Sequence, residues 1–197
     1  MTDTQHNRSA PVPIGDVVPG DPPVPVTVWP VPPPRAGETM SAALGYRLVQ
    51  NLTYPRDLVV DLTIGQQLAR AIFASRRRRQ IPKGRLAGSE PAALIVAGWP
   101  SMRPHLAELT ERALHRLRPG GCLAVVHRHG DPSIRPQIIA AGKAAGLAYL
   151  QHIVASTVPV GGADPLPIHS DVILLTRSRR TRTDTIDTDD TFEDDDA

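Results

Sequence analysis

Short apolar runs alternate with amphipathic stretches through the middle of the chain, and this alternation restricts the fold more than any other feature. Asp57-Leu-Val-Val-Asp61, Ala92–Ala97 (AALIVA) and Cys122–Val126 have the length and the Val, Ile, Leu and Ala content of buried strands. Between them, Gln66–Ser75 spaces Leu68, Ile72 and Phe73 as one helical face. Met102–Leu117 does the same with Leu106, Leu109, Ala113, Leu114 and Leu117. Arg118-Pro-Gly-Gly121 reads as a turn. Pro136–Gly146 is a further helix, carrying Ile138, Ile139, Ala141 and Ala145 and stopped by glycine. Leu147–Ala155 and Val172–Thr176 complete the strands and can pair antiparallel across the Gly161–Pro167 loop. Ahead of the first strand, Ser41 is placed to cap a helix with Leu44, Leu48 and Val49 on one face, ended by Pro55. Apolar runs separated by helices imply an α/β domain: a mostly parallel sheet with helices on both faces.

The ends of the chain follow another rule. Ten of the 21 prolines fall between Pro11 and Pro34, so residues 1–35 read as a Pro-rich disordered arm, with Val24–Pro34 extended in the polyproline manner. Trp29 is its one large apolar residue and is expected to anchor the arm to the domain. The α/β domain is assigned to 36–178, and residues 179–197 form a disordered tail, acidic from Asp184. The net charge of +2 conceals an asymmetry: residues 1–183 carry 22 bases and 12 acids, or +10, and the remainder carries eight acids and no base, or −8. A basic body suits DNA or RNA as partner, an acidic tail could compete for the same surface, and arm and tail also suit a protein partner. The lone Cys122 excludes a disulfide framework and a cysteine metal cluster, and is expected to be an inert apolar residue. No apolar run approaches the ~18 residues of a membrane helix and no signal-peptide pattern opens the chain, so a cytoplasmic location without membrane contact is expected.

The loop Asp61-Leu-Thr-Ile-Gly65-Gln-Gln67 lies where an α/β domain binds its ligand, at the carboxyl end of the first strand. Asp61, Thr63 and Gly65 are its candidate binding residues, although a second glycine is absent and position 67 is Gln. Arg76, Arg77, Arg78 and Arg79, at the end of the following helix, either complement the helix dipole or face the phosphates of a nucleic acid. His127 and His129, with Asp131, have the character of metal ligands, but no fourth ligand stands at suitable spacing. They are read as a solvated loop, and no metal is expected.

Leu117-Arg-Pro-Gly-Gly-Cys-Leu-Ala-Val-Val126 resembles the step before a late strand of methyltransferase domains. Trp29 and Pro30, Arg35-Ala-Gly37, the Ser41–Val49 helix, Tyr54-Pro-Arg-Asp-Leu-Val-Val-Asp61 and the closing Pro167-Ile-His-Ser-Asp-Val-Ile-Leu-Leu-Thr176 resemble, in that order, the amino-group DNA methyltransferases and their tRNA-guanine-methylase-like branch. The resemblance spans roughly Val28–Arg177. It implies a Rossmann-like methyltransferase-type sheet, reduced in strand number, and S-adenosylmethionine as cofactor. It also places Trp99 and Pro100 in the catalytic loop, and His169 and Asp171 in a final strand, where they would satisfy backbone groups.

The departures from the family are coordinated. Leu62 stands for the proline of the cofactor motif, Gln67 for its second glycine and Leu68 for its threonine. In Gly98-Trp-Pro-Ser101, Gly98 cannot accept a hydrogen bond from an exocyclic amine through a side chain, and Ser101 cannot stack on a flipped base. The interval from Asp61 to Ala93 has room for one crossover of ~30 residues, and it lacks the strand whose acid would hold the cofactor ribose. The sequence therefore implies methyltransferase ancestry with eroded catalysis, kept as a nucleic-acid-binding or regulatory module. An active S-adenosylmethionine-dependent DNA or RNA methyltransferase and a protein-interaction scaffold are the alternatives.

Overall fold

A computed structural model describes residues 16–17, 26–81, 86, 88–99, 105–159 and 165–178. Pro100, most of the N-terminal arm and the whole 179–197 tail lie outside these residues. Twelve elements follow in chain order: β1 (Asp16–Val17), β2 (Val26–Pro30), α1 (Ala42–Leu52), β3 (Leu58–Leu62), α2 (Gln67–Ala74), β4 (Arg78–Gln80), β5 (Ala92–Trp99), α3 (Leu106–Arg116), β6 (Leu117–Arg128), α4 (Ile134–Ala144), β7 (Ala148–Ser156) and β8 (Ile168–Thr176).

The strands form one eight-stranded sheet in the order β1-β2-β7-β8-β6-β5-β3-β4. Pairs β2/β7, β3/β4, β3/β5 and β5/β6 are parallel, whereas β8 runs antiparallel to both β6 and β7. This is the expected α/β architecture. Alternate residues of each buried strand serve opposite faces. Leu94 and Val96 of β5 join Leu44, Leu48, Leu68 and Ile72 of α1 and α2 in one core, and Ile95 and Ala97 join Leu109, Ala113 and Ile138 of α3 and α4 in the other. At α1 the hydroxyl of Ser41 accepts from the Leu44 N–H at 3.3 Å, as the capping pattern requires.

Four local expectations are corrected. Val26–Pro30 is a strand of the sheet rather than a polyproline segment; proline is tolerated there because Pro30 is the strand's last residue. Arg78 and Arg79 lie not at a helix end but in the edge strand β4, so the interval after Asp61 holds a helix and an additional strand. The Arg118–Gly121 turn and His127 belong to the long β6, whose pairing with β5 shifts register between Ala92 and Leu94. Phe73, placed by spacing on the apolar face of α2, is 68% exposed, because that short helix buries only the side carrying Leu68 and Ile72.

Trp29 is fully buried against the α1/α2 face, with the Arg47 guanidinium 5.8 Å from its ring centroid. Trp29→Ala should therefore lower the unfolding free energy by about 3–5 kcal/mol, measured by urea titration. A change near zero would mean that this strand is a pendant arm.

Candidate functional site

In sheet order the chain leaves β3 for β4 on one side and then returns to β5 on the other. The crevice between the carboxyl ends of β3 and β5 is therefore the switch point, where open α/β sheets bind ligands. Asp61, Thr63 and Gly65 border it from one side, and Gly98 and Trp99 from the other.

The first loop is closed on itself. Asp61 is 3% exposed, and its Oδ1 accepts from the Thr63 N–H at 3.0 Å and the Thr63 hydroxyl at 2.7 Å. Its Oδ2 accepts from Arg79 Nε and Nη2 at 2.9 and 2.7 Å. The Ile64 N–H donates to the Thr39 hydroxyl at 2.8 Å, and the Thr39 N–H returns a bond to the Ile64 carbonyl at 3.2 Å. Gly65 has φ +102°, a conformation that favours glycine, and a Cβ there would collide with the Gln67 amide. Gln67 thus folds its side chain over Gly65. The strand beside β3 ends in Arg79 and Gln80 where the resemblance implies an acid near the ribose.

The arginine block is largely committed to the protein's own groups. Arg76 has φ 54° and occupies the left-handed position after α2: its N–H donates to the Phe73 carbonyl at 3.1 Å, and the Arg77 N–H to the Ile72 carbonyl at 3.0 Å, the Schellman arrangement. Arg77 donates to the Thr53 hydroxyl and carbonyl at 3.0 and 2.7 Å. Arg78 donates to the Arg56 carbonyl at 2.9 Å and meets Glu90 at 2.6 Å. Arg79 holds Asp61.

A second constellation was not visible in the spacing of the sequence. His127 is buried at the end of β6, directly opposite Asp171 of β8, rather than in a solvated loop. Asp171 bridges two imidazoles, with Oδ2 2.7 Å from His129 Nδ1 and Oδ1 2.6 Å from His152 Nε2, so it meets side chains and not the backbone groups the resemblance implied. His169 does reach backbone, its Nε2 lying 3.0 Å from the Val31 carbonyl. Because carboxylate and carbonyl oxygens only accept, the partnered nitrogens of His129, His152 and His127 (Nδ1 to the Arg128 carbonyl, 3.0 Å) carry the protons. His127 Nε2 and His152 Nδ1 are left as buried acceptors without a protein partner. These residues, with Asp131 and Arg135, line a cleft of about 350 Å³. Half-exposed His129, backed by a buried carboxylate, has the wiring of a general base. Among the described residues no group of three or more His, Cys, Asp or Glu side chains is arranged to hold a metal ion.

A neighbouring crevice of about 330 Å³ lies over the carboxyl ends of β5 and β6 and is lined by Gly98, Trp99, His127 and His169. Trp99 is half-buried there and packs against the α3/α4 core. No helix among the described residues is long and apolar enough to cross a membrane.

Burial pushes the His127 pKa down, against its backbone hydrogen bond and the nearby Asp171 carboxylate. For Asp171, burial alone would raise the pKa, but the hydrogen bonds from His152 and His129 outweigh it and hold the group below the ordinary carboxylate range. Both groups bind fewer protons folded than unfolded, so stability is full at neutral pH. It should fall first below about 6.5, as the unfolded chain protonates at His127, and again below about 4, through Asp171. Melting temperatures taken from pH 8 to pH 3 check this. His127→Phe should remove the first step and leave the second.

No protein-family model and no curated protein matches the sequence. Solved structures do. The complex between the Haloferax volcanii Trm112 methyltransferase activator and the putative methyltransferase matches with TM-score 0.50 and 9% identity, over 71% of this chain and 89% of that one. A geranyl diphosphate C-methyltransferase from Streptomyces coelicolor matches with TM-score 0.49 and 11% identity, over 69% and 80%. A methyltransferase from Pyrococcus furiosus matches with TM-score 0.47 and 14% identity, over 70% and 83%. At such identities a likeness speaks for architecture alone, and with the first match it gives the chain a Rossmann-like fold of the methyltransferase type.

Proposed function

We propose that this chain is a catalytically degenerate methyltransferase-like domain, akin to the amino-group DNA methylases and tRNA-guanine methylases, that serves as a nucleic-acid-binding or regulatory module. One observation carries the reading: Asp61, the acid that the cofactor loop would present, is buried between Thr63 and Arg79 while Gln67 lies over Gly65. S-adenosylmethionine would need this backbone open and would need an acid where Arg79 stands. Loss of the polar residue at Gly98 agrees with the same reading. The +10 charge of residues 1–183 suits a phosphate backbone, and the −8 tail suits regulation of that contact.

An active S-adenosylmethionine-dependent enzyme is the second reading, favoured by the crevice beside Gly98, Trp99 and His127. Calorimetric titration with S-adenosylmethionine and S-adenosylhomocysteine separates the two. The expected result is no heat and no change in melting temperature at millimolar ligand, and saturable heat would transfer the conclusion to the second reading. Affinity for duplex DNA, read by fluorescence anisotropy, should fall steeply with salt and rise when residues 184–197 are removed. Absence of DNA and RNA binding in both forms would end the nucleic-acid role.

A further inference from the structure

Arg116 closes α3 and is only 6% exposed. Its Nη2 donates to the side-chain oxygen of Gln80, whereas its buried Nε and Nη1 meet no acceptor. A guanidinium stays charged in proteins, and a buried charge without a counter-charge is among the least favourable arrangements a fold can hold. Two partly buried guanidiniums nearby are matched by carboxylates: Arg118 is bidentate to Asp57 at 2.8 Å on each arm, and Arg79 grips Asp61. Arg116 has a neutral amide instead.

Its surroundings are shaped for an anion. Arg116 lines an open cleft of about 450 Å³ at the β4 edge of the sheet, together with Arg78, Arg79, Gln80, Ser89 and Glu90. Glu90 is engaged by Arg78, and Asp61 by Arg79, so among the described residues the third guanidinium leaves the cleft with one positive charge in excess. Gly88, at φ +128°, lays its backbone on the Gln80–Arg116 pair. A Cβ there would come within 2.6 Å of Gln80 Nε2 and 2.8 Å of Arg116 Nη2, and the positive φ itself favours glycine. By contrast, the histidine cleft offers neutral acceptors and two carboxylates.

We propose that this cleft is an oxyanion site, in which the Arg116 guanidinium binds a phosphate group with Arg78 and Ser89 at its rim. Its phosphate can belong to a nucleic-acid backbone or to a free phosphate or phosphorylated small molecule.

Thermal shift and calorimetry on the full chain with inorganic phosphate, against sodium chloride at matched ionic strength, test it. Saturable stabilisation by phosphate is expected in the unmodified chain. Arg116→Met should weaken phosphate binding about tenfold or more, and should itself melt no lower in phosphate-free buffer, because it removes an unmatched buried charge. Ser89→Ala, at an exposed position, should weaken binding with the fold unchanged. No saturable effect in the unmodified chain, or equal effects in it and in both variants, overturns the site. A short DNA duplex identifies the source. If Arg116→Met weakens DNA and phosphate together, the phosphate is that of the backbone. If only phosphate binding falls, the oxyanion site stands with a free or small-molecule phosphate. A chain that binds phosphate but no DNA or RNA keeps this site and loses the nucleic-acid role proposed above.

Discussion

Asp61 carries a side chain that is 1% exposed, and a charge so placed has to be matched from within the protein. Arg79 matches it, and much of the sheet edge follows. The pairing brings the otherwise polar β4 alongside β3, with Val59 opposite Arg79. Because strand residues alternate, fixing Arg79 toward the α1/α2 side sends Arg78 and Gln80 to the α3 side. There Gln80 meets the Arg116 guanidinium and Arg78 meets Glu90. One ion pair therefore closes the loop after β3 and shapes the basic cleft on the opposite face.

The alternation of apolar runs made the sheet, its two helical layers and the β7/β8 hairpin readable in the sequence, since burial on both faces leaves continuous Val, Ile and Leu runs. The Ser41 cap was equally readable, being a contact three residues long. β2 was hidden by the prolines around it: an edge-side strand ending in Pro30 carries the composition of a linker. β4 was hidden because Arg-Arg-Gln has no apolar signature, and its place is set by an ion pair 18 residues apart in the chain.

The candidate sites divide in the same way. Asp61 and Gly65 were found by position after a strand, a local property. The Asp171 cluster draws His129 from 42 residues away and His152 from 19, and no local spacing announces such a meeting. Arg116 stands in the last turn of a helix, where a base ordinarily complements the dipole. Its neighbours Gln80 and Gly88 come from distant parts of the chain, a tertiary feature.

The antiparallel insertion of β8 between β6 and β7 has a consequence for the order of assembly. β2 near the amino end takes its parallel partner from β7, Val26 standing opposite His152, and β7 is joined to the remaining sheet only through β8. On a translating ribosome the segment bearing Trp29 therefore emerges long before β7, its parallel partner. The β3–α2–β4–β5 portion can condense from nearby contacts, but the two ends must wait for one another. That makes the pairing of β2 with β7 the slow, loop-closing step of folding, because it joins segments far apart in the chain.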